Sequence, residues 1–448
     1  MHMKKEFWLM IGSVLLSLLI GLGGIRWFAP QLLGMPADST IVKLNTEYAA
    51  FFETIFINPA EKEKNQFLLN DPITLVRGRP FLPDSVMLGP QDILGFRNHS
   101  VPVVAPIIAI GDSQTYGNNV SLELNWPNRM LDALHLPSTC LYSMATGGWG
   151  AVQYLHMFAL SSRFKPRAII VAYYTGNDSL ETFKAAYSID KWKFLRIDRS
   201  LNLSSLPQVA SPAPESEWWK VQFHDGHTMI FTPRLRYYSN DPASKATKTG
   251  YAIMEESARM MDEVIKDKGT RLIFTIIPTK EFVYSKRIEQ EGIAPPSDYL
   301  NLINGEAKYI DEMQERFKKL SNSSYVNIIE PLQQAALTNS NLYPEDKDGH
   351  PDLEGYALIG KALSKSLLDL PKPPRGIVEV KVDKDTYQLY LVNNEGAWKV
   401  TSESMLVENG WNTATPTVVE ARDIALYPQQ GLLKDIDPNR FGPLSVGN

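Results

Sequence analysis

Four short blocks of this chain carry residue types that do acyl chemistry, and they come in a fixed order. Ile108-Ala109-Ile110-Gly111-Asp112-Ser113-Gln114-Thr115-Tyr116-Gly117 closes an apolar run, 103–110, in a Gly-Asp-Ser turn. The run reads as a buried strand. Ser113 then stands at its C-terminal end, where open α/β sheets place their ligands. Gly147-Gly148-Trp149-Gly150 and Thr175-Gly176-Asn177-Asp178 follow, and Asp348-Gly349-His350-Pro351 comes last. A serine hydroxyl is a poor nucleophile until a base takes its proton. Histidine titrates near neutrality, so His350 suits that base and can return the proton to a leaving alcohol. Asp348 would fix the ring tautomer and stabilise the imidazolium. Attack on an ester carbonyl builds negative charge on its oxygen, which needs donors placed in advance. Each block alone reads as a plain turn, cap or loop. All four in order, each at a strand end, point to a site.

These blocks resemble those of the GDSL/SGNH hydrolase superfamily, which carry Ser, Gly, Asn and His in this order. The style is closest to membrane-anchored bacterial members and to alginate and exopolysaccharide O-acetylation proteins. The resemblance implies a flavodoxin-like three-layer α/β/α fold and assigns the oxyanion donors to the backbone N–H of Ser113, the backbone N–H of Gly148 and the side-chain amide of Asn177. Gly150 is the alternative to Gly148, and alignment of the block with Gln153 downstream favours Gly148. Asp178 is expected to support its loop. The family's acid and base are commonly spaced Asp-x-x-His. Here position 347 is lysine and the spacing is Asp-x-His, a shorter form that several glycan-acetylating members use. Asp348 and Asp346 therefore both stand as the residue orienting His350.

Two further phrases need a reading. His224-Asp225-Gly226-His227 repeats the Asp-Gly-His triplet but lacks the following Pro and helix, and reads as a surface turn. A metal site there would need further ligands at sensible spacing, and none is apparent; no metal or cofactor is expected. Pro278-Thr279-Lys280-Glu281-Phe282-Val283-Tyr284 resembles a phrase after a core strand in exopolysaccharide-acetylating proteins. It makes Lys280 and Tyr284 candidate substrate contacts, against the plainer reading of a strand end with an exposed charge pair.

The elements that must hold these blocks alternate. Short apolar runs rich in β-branched residues predict strands at 103–110, 168–174, 271–277 and 325–329, as in parallel sheets covered on both faces. Helices are predicted at 126–134, 151–163, 251–268, 306–320 and 355–368, an alternation that argues for a parallel sheet with helices on both sides. Residues 188–248, with Pro, Ser and several tryptophans, read as an insertion near the site mouth. Asp92-Ile93-Leu94-Gly95-Phe96-Arg97-Asn98 reads as an ordered lead-in loop, and the aromatic-rich stretch 46–57 as a helix packed on the domain. Pro371-Lys372-Pro373-Pro374-Arg375-Gly376 is a linker signal. Beyond it, alternation at Val378, Val380 and Val382 and a turn at Asn394-Glu395-Gly396 suggest a small β-rich unit, in which Trp398 and Trp411 serve the core or offer stacking faces.

The 448 residues carry a net charge of −5, which leaves no electrostatic footprint for nucleic acid. The single cysteine, Cys140, excludes an intrachain disulfide and sits in an apolar context that reads as core. Phe7 to Ile25 is an uncharged stretch of 19 residues behind Lys4 and Lys5. At helical rise it spans roughly 28 Å, about a hydrocarbon core. With no Ala-x-Ala site behind it, it reads as an uncleaved anchor, the rest of the chain being exported.

The expected organisation is a membrane anchor over 1–28, an exported lead-in over 29–100, a catalytic domain over 101–370 with the insertion at about 188–248, and a β-rich domain over 377–448. The expected activity is that of a serine esterase or O-acyltransferase, the acyl group being acetyl. The expected location is the bacterial inner membrane, with a single pass and the catalytic domain in the periplasm or outside the cell. The substrate would be an acylated envelope glycan or exopolysaccharide, with room for a membrane acyl-transfer partner. A lipase or lysophospholipase and a non-catalytic glycan-binding scaffold are the alternatives.

Overall fold

The computed structural model describes residues 67–433 apart from 85–87, 103, 209–212, 371–375, 383–385, 394–395, 409–415, 425–426 and 428. The predicted anchor at 7–25, the helix at 46–57, most of the linker and Trp411 lie outside the described residues. None of the described helices is long and apolar enough to cross a membrane.

A hairpin comes first, β1 (Leu68–Asp71) and β2 (Leu75–Gly78), followed by the lead-in loop. Then β3 (Ile107–Gly111) leads to the short helix α1 (Ser113–Tyr116) and to α2 (Trp126–Leu134). Next come β4 (Leu141–Ala145), α3 (Ala151–Ser161), β5 (Ala168–Tyr174) and α4 (Asp178–Ser188). The insertion holds a hairpin, β6 (Trp219–Gln222) and β7 (Thr228–Phe231), and α5 (Pro233–Tyr237). The core resumes with α6 (Lys245–Ile265), β8 (Arg271–Ile277), α7 (Lys280–Val283), α8 (Ser285–Gln290), α9 (Ser297–Lys318), β9 (Ser323–Tyr325), α10 (Ile329–Ala336) and α11 (Leu353–Ser364).

Strands β4-β3-β5-β8-β9 form one sheet, parallel at every pairing. In chain order within that sheet this is 2-1-3-4-5, with the reversal of strand order between β3 and β5. Side chains alternate between two buried layers because a strand has a period of two. Ile108, Ile110, Ile169, Val171 and Tyr173 pack on one face with Tyr154, Met157, Tyr251, Met254 and Met313 from α3, α6 and α9. Ile107, Ala109, Ile170, Ala172 and Tyr174 pack on the other with Trp126, Met130, Tyr356 and Ile359 from α2 and α11. Burying one such isoleucine contributes roughly 1.5–3 kcal/mol, which is why both faces of these strands read as continuous apolar runs.

The strands predicted at 168–174 and 271–277 and the helix at 126–134 coincide with β5, β8 and α2. The strand predicted at 103–110 begins only at Ile107, and the helices predicted at 251–268 and 306–320 begin earlier, at Lys245 and Ser297. Other elements differ too. Edge strand β4 holds Ser143 and follows a tight 3-10 turn, so its apolar signal was too short to read as a strand. The strand predicted at 325–329 ends at Tyr325, and Ile329 already opens α10. Helix α4, absent from the sequence reading, begins within the third block.

The lead-in is not peripheral. Ile93, Leu94, Phe96 and Val101 belong to the main core cluster. Trp149 Nε1 and Trp192 Nε1 donate to the carbonyls of Val76 and Ile73 at 2.7 and 2.8 Å, fastening the first hairpin. Beyond the linker, β10 (Gly376–Lys381), β11 (Tyr387–Asn393), β12 (Gly396–Val400), β13 (Thr417–Val419) and β14 (Gln429–Leu433) form a second sheet in the order β13-β10-β11-β12-β14. Val378 and Val380 pack with Val104, just ahead of β3, and Arg167, just ahead of β5, pairs with Asp423. This unit therefore sits at the end of the core strands opposite Ser113.

Candidate active site

Ser113 lies two residues beyond β3 and opens α1. Asp112 caps that helix, accepting from the Gln114 N–H at 2.9 Å. Arg97 holds the far side of the turn. It is 1% exposed and donates to the carbonyls of Gly89, Tyr116, Gly117 and Val120 at 2.6–3.2 Å. Its neighbour Asp92 accepts from the Leu94 and Phe96 N–H groups and from Tyr142 Oη. The Asp92–Asn98 loop thus holds the turn that carries Ser113 in place.

Ser113 Oγ is 2.8 Å from His350 Nε2, and His350 Nδ1 is 2.6 Å from Asp348 Oδ1. The same carboxylate oxygen accepts the His350 main-chain N–H at 2.9 Å. Because Asp348 accepts a hydrogen bond from Nδ1–H, Nε2 is left as the acceptor facing Ser113. Burial pushes the Asp348 carboxyl up, but the hydrogen bond and charge of His350 outweigh it and hold the group at about 2. Asp346, the other candidate, instead accepts the Asp348 main-chain N–H at 2.8 Å and so shapes the loop. A second acceptor near Ser113, Asp112 Oδ2, is farther away at 3.3 Å.

The second block lies beside Ser113. Gly111 pairs with Ala145, so Gly147 lies as far past β4 as Ser113 does past β3. A methyl group on Gly147 would meet Ser113 Cβ at 3.6 Å. Gly148 has φ +76, a conformation that suits glycine, and nothing lies within 4 Å of where a side chain would begin. Gly150 differs: a methyl there would meet Thr182 Oγ1 at 2.5 Å, so this glycine serves the packing of α3 on α4. Neither Ser113 N–H nor Gly148 N–H takes a partner among the described residues.

Asn177 occupies the N-cap of α4, where an asparagine normally bonds the first turn with its side chain. Here the side chain makes no cap bond, and its Oδ1 is buried without a partner. The carboxamide is thus left free at the end of β5, beside the strand that carries Ser113. Asp178 holds the turn, accepting the Tyr174 N–H and Tyr154 Oη, each at 2.9 Å. Burial, with the charge of Asp112 added, pushes the Asp178 carboxyl well above its ordinary range. Glu306 on α9 ties this turn to the next, accepting from Thr175 Oγ1 at 2.5 Å, Thr279 Oγ1 at 2.6 Å and Thr279 N–H at 2.8 Å. Nothing local in the sequence announces this role for Glu306.

Lys280 and Tyr284, the candidate substrate contacts, lie inside the protein at 1% and 0% exposure. Lys280 Nζ donates to the carbonyls of Pro344, Asp346 and Asp348 at 2.5, 2.7 and 3.4 Å. Tyr284 Oη donates to the Ser340 carbonyl at 3.0 Å. Both support the loop that carries Asp348 and His350 and leave no atom for substrate, and the exposed charge pair of the plainer reading is absent too. The duplicate triplet 224–227 is the tip of the β6–β7 hairpin, with Asp225 bonded to Arg287 at 2.7 Å.

No protein-family model and no curated protein matches the chain. Solved structures similar to it include a GDSL-like lipase from Bacteroides thetaiotaomicron, at 12% identity over 58% of this chain and 86% of that one, with a TM-score of 0.30. Another is a catalytic mutant of an acetylxylan esterase from Geobacillus stearothermophilus, at 9% identity over 60% of this chain and 95% of that one, with a TM-score of 0.33. At that distance the chemistry has to come from the site's own geometry. A parallel sheet ordered 2-1-3-4-5, four blocks in sequence and a Ser–His–Asp relay at the strand-order reversal make this chain similar to the GDSL/SGNH hydrolases.

Proposed function

We propose that the chain is a serine esterase or O-acyltransferase working through an acyl-Ser113 intermediate. The observation that carries this reading is the relay from Ser113 Oγ to His350 Nε2 at 2.8 Å and from His350 Nδ1 to Asp348 at 2.6 Å. His350 takes the hydroxyl proton as Ser113 Oγ bonds the ester carbonyl carbon. The oxyanion rests on the Ser113 and Gly148 N–H groups and the Asn177 amide. As the carbonyl re-forms, the C–O bond to the alcohol breaks and His350 returns the proton to it. Water or a sugar hydroxyl then attacks the acyl-enzyme with His350 as base, giving a free acid or a new ester.

The acyl group is read as acetyl and the substrate as an acylated envelope glycan or exopolysaccharide. Both follow from the likeness of the blocks to glycan-acetylating proteins. The stretch 7–25 supports attachment to a bacterial inner membrane with the site outside the cytoplasm; an active alkaline phosphatase fusion after residue 448 would agree, and an inactive one would refute it. The deciding assay uses the full chain in detergent with p-nitrophenyl acetate, with and without a polysaccharide acceptor, and a serine-directed phosphonate. Labelling at Ser113 with acetate release supports an esterase, and acetyl on the acceptor supports a transferase. Preference for a lysophospholipid ester over acetyl esters supports the lipase reading. A chain inert to the phosphonate and to every ester is the non-catalytic scaffold.

A further inference from the structure

We propose that residues 190–203 form a docking surface for the anionic headgroups of a phospholipid bilayer. The inference goes beyond the acyl chemistry and rests, for the nearness of a bilayer, on the membrane attachment read from 7–25.

The segment follows α4 and folds over its C-terminal end. A 3-10 turn, Asp190–Leu195, comes first, and a second, Leu203–Ser205, packs on α4 as well. Tyr187 Oη donates to the Asp198 carbonyl at 2.6 Å, and Arg196 Nε to the Ala186 carbonyl at 2.8 Å. A 3-10 turn repeats every three residues. Trp192 and Leu195 therefore share one face, and both are buried. Lys191 and Phe194 share the next face, and both are exposed.

The outer face is apolar and basic together. Phe194, Ile197 and Leu203 are 59%, 57% and 45% exposed. Single exposed apolar residues are ordinary, but a cluster of them marks an interaction surface. No other stretch this short among the described residues exposes three large apolar side chains. Lys191, Lys193, Arg196 and Arg199 lie among them, against only Asp190 and Asp198. Both carboxylates are engaged: Asp190 pairs with Arg196 at 3.2 Å, and Asp198 accepts from Ser200 Oγ at 2.6 Å. Lys193 and Arg199 make no ion pair among the described residues.

This pattern fits an anionic membrane surface: the apolar side chains enter the headgroup boundary and the cations face lipid phosphate. Charge alone would fit any polyanion. Phe194, Ile197 and Leu203 select a surface with an apolar layer beneath its charge. The position agrees. Trp192 Nε1 fastens the first hairpin through the Ile73 carbonyl, and the described chain begins at Phe67, directly ahead of that hairpin. Residues 1–66, which include 7–25, thus join the fold through the hairpin that the patch holds. Helix α4 has 11 residues and spans roughly 16 Å, with Asn177 at its other end, so docking leaves the catalytic site about a helix length from the patch.

The test reconstitutes the full chain in vesicles and reads lipid contact at one labelled cysteine. Cys140 is buried, so Leu203→Cys supplies the labelling site for a fluorophore, and Leu300→Cys, exposed at the start of α9, supplies the control. The quencher is a nitroxide-bearing phosphatidylcholine. Quenching at 203 should be at least about threefold greater in vesicles containing phosphatidylglycerol than in phosphatidylcholine alone, and should fall in about 0.5 M NaCl. The label at 300 should show none. Lys193→Glu with Arg199→Glu should remove the quenching without changing the melting temperature. No quenching at 203 with phosphatidylglycerol present, or equal quenching at 203 and 300, overturns the proposal without any charge variant. Quenching insensitive to lipid charge and salt overturns the anionic assignment. A label at 203 already shielded in detergent and untouched by the nitroxide shows that 46–57 or another protein covers the patch, and cross-linking between copies through position 203 shows that a second chain does; each overturns the proposal. Flotation keeps the two membrane readings apart. A chain that floats with both vesicle types but is unquenched at 203 loses the docking and keeps the anchor. One that floats only with phosphatidylglycerol and is quenched at 203 keeps the docking and loses the anchor.

Discussion

Lys280 Nζ donates to the main-chain oxygen of Asp346 at 2.7 Å, so a side chain that follows β8 fixes the loop carrying both the acid and the base of the relay. The pair sits 66 residues apart in sequence. Removing the ammonium leaves the Pro344 and Asp346 carbonyls without their donor and frees the loop. Lys280→Met should lower kcat on p-nitrophenyl acetate by about 100-fold, the size of loss that follows roughly 1 Å of misplacement. Phosphonate labelling of Ser113 should slow in parallel. Unchanged kcat would show that the loop keeps its shape without the lysine.

Ser113→Ala and His350→Ala should each remove nearly all turnover, and the double variant should lose little more, because the two act as one unit. His227→Ala, on the hairpin tip, should change activity less than twofold. Steady-state kinetics on one small ester decides this. Additive losses in the double variant would mean that the 2.8 Å contact is not the proton path.

Asn177 and Asn125 both stand at helix N-caps, yet only Asn125 accepts a cap bond, from the Asn128 N–H at 3.1 Å. Asn125→Ala should therefore cost about 1 kcal/mol of stability with activity largely kept. Asn177→Ala should leave the melting temperature nearly unchanged and lower kcat by about 100- to 1000-fold, as losing one oxyanion donor does. Urea melts and kinetics on the two variants make the comparison, and a reversed pattern would remove Asn177 from the oxyanion hole.

Burial raises the Glu306 carboxyl from 4.5 to about 7, despite the bonds from Thr175 and Thr279 that favour its ionised form. Between those values the folded chain binds a proton that the unfolded chain has released. The contribution to stability is thus full below about 4.5 and is lost as pH rises through about 7. Its size is roughly 3 kcal/mol. Glu306→Gln should flatten the fall in unfolding free energy between pH 4.5 and 7. An equally steep fall in the variant would place its origin elsewhere.

Ending the chain at residue 370 removes the second sheet, exposes Val104 and frees Arg167 from Asp423. These contacts lie at the N-terminal ends of β3 and β5, away from Ser113. The shortened chain should be less stable and still hydrolyse p-nitrophenyl acetate within about threefold of the full chain, as burying one valine is worth only roughly 1.5–3 kcal/mol. Lost small-ester turnover in a folded truncation would make the second sheet part of the catalytic unit.

By itself the sequence determined the parallel core and the order of the four blocks. Buried strands such as 168–174 are apolar on both faces, and glycines and Asn177 punctuate the strand ends, so local composition carries that information; His350 instead lies between α10 and α11, not at a strand end. It left open whether Asp348 or Asp346 orients His350, since both lie within reach along one loop. Only the folded loop decided, turning the Asp348 carboxylate to the ring and the Asp346 carboxylate to the main chain. The tertiary structure alone also drew Lys280, Tyr284 and Glu306 inward. A lysine between a strand and a short helix reads as exposed, because nothing local announces the three carbonyls that meet it from residues 344–348. Long-range hydrogen bonding has no period in the sequence, and these residues acquire their roles from it.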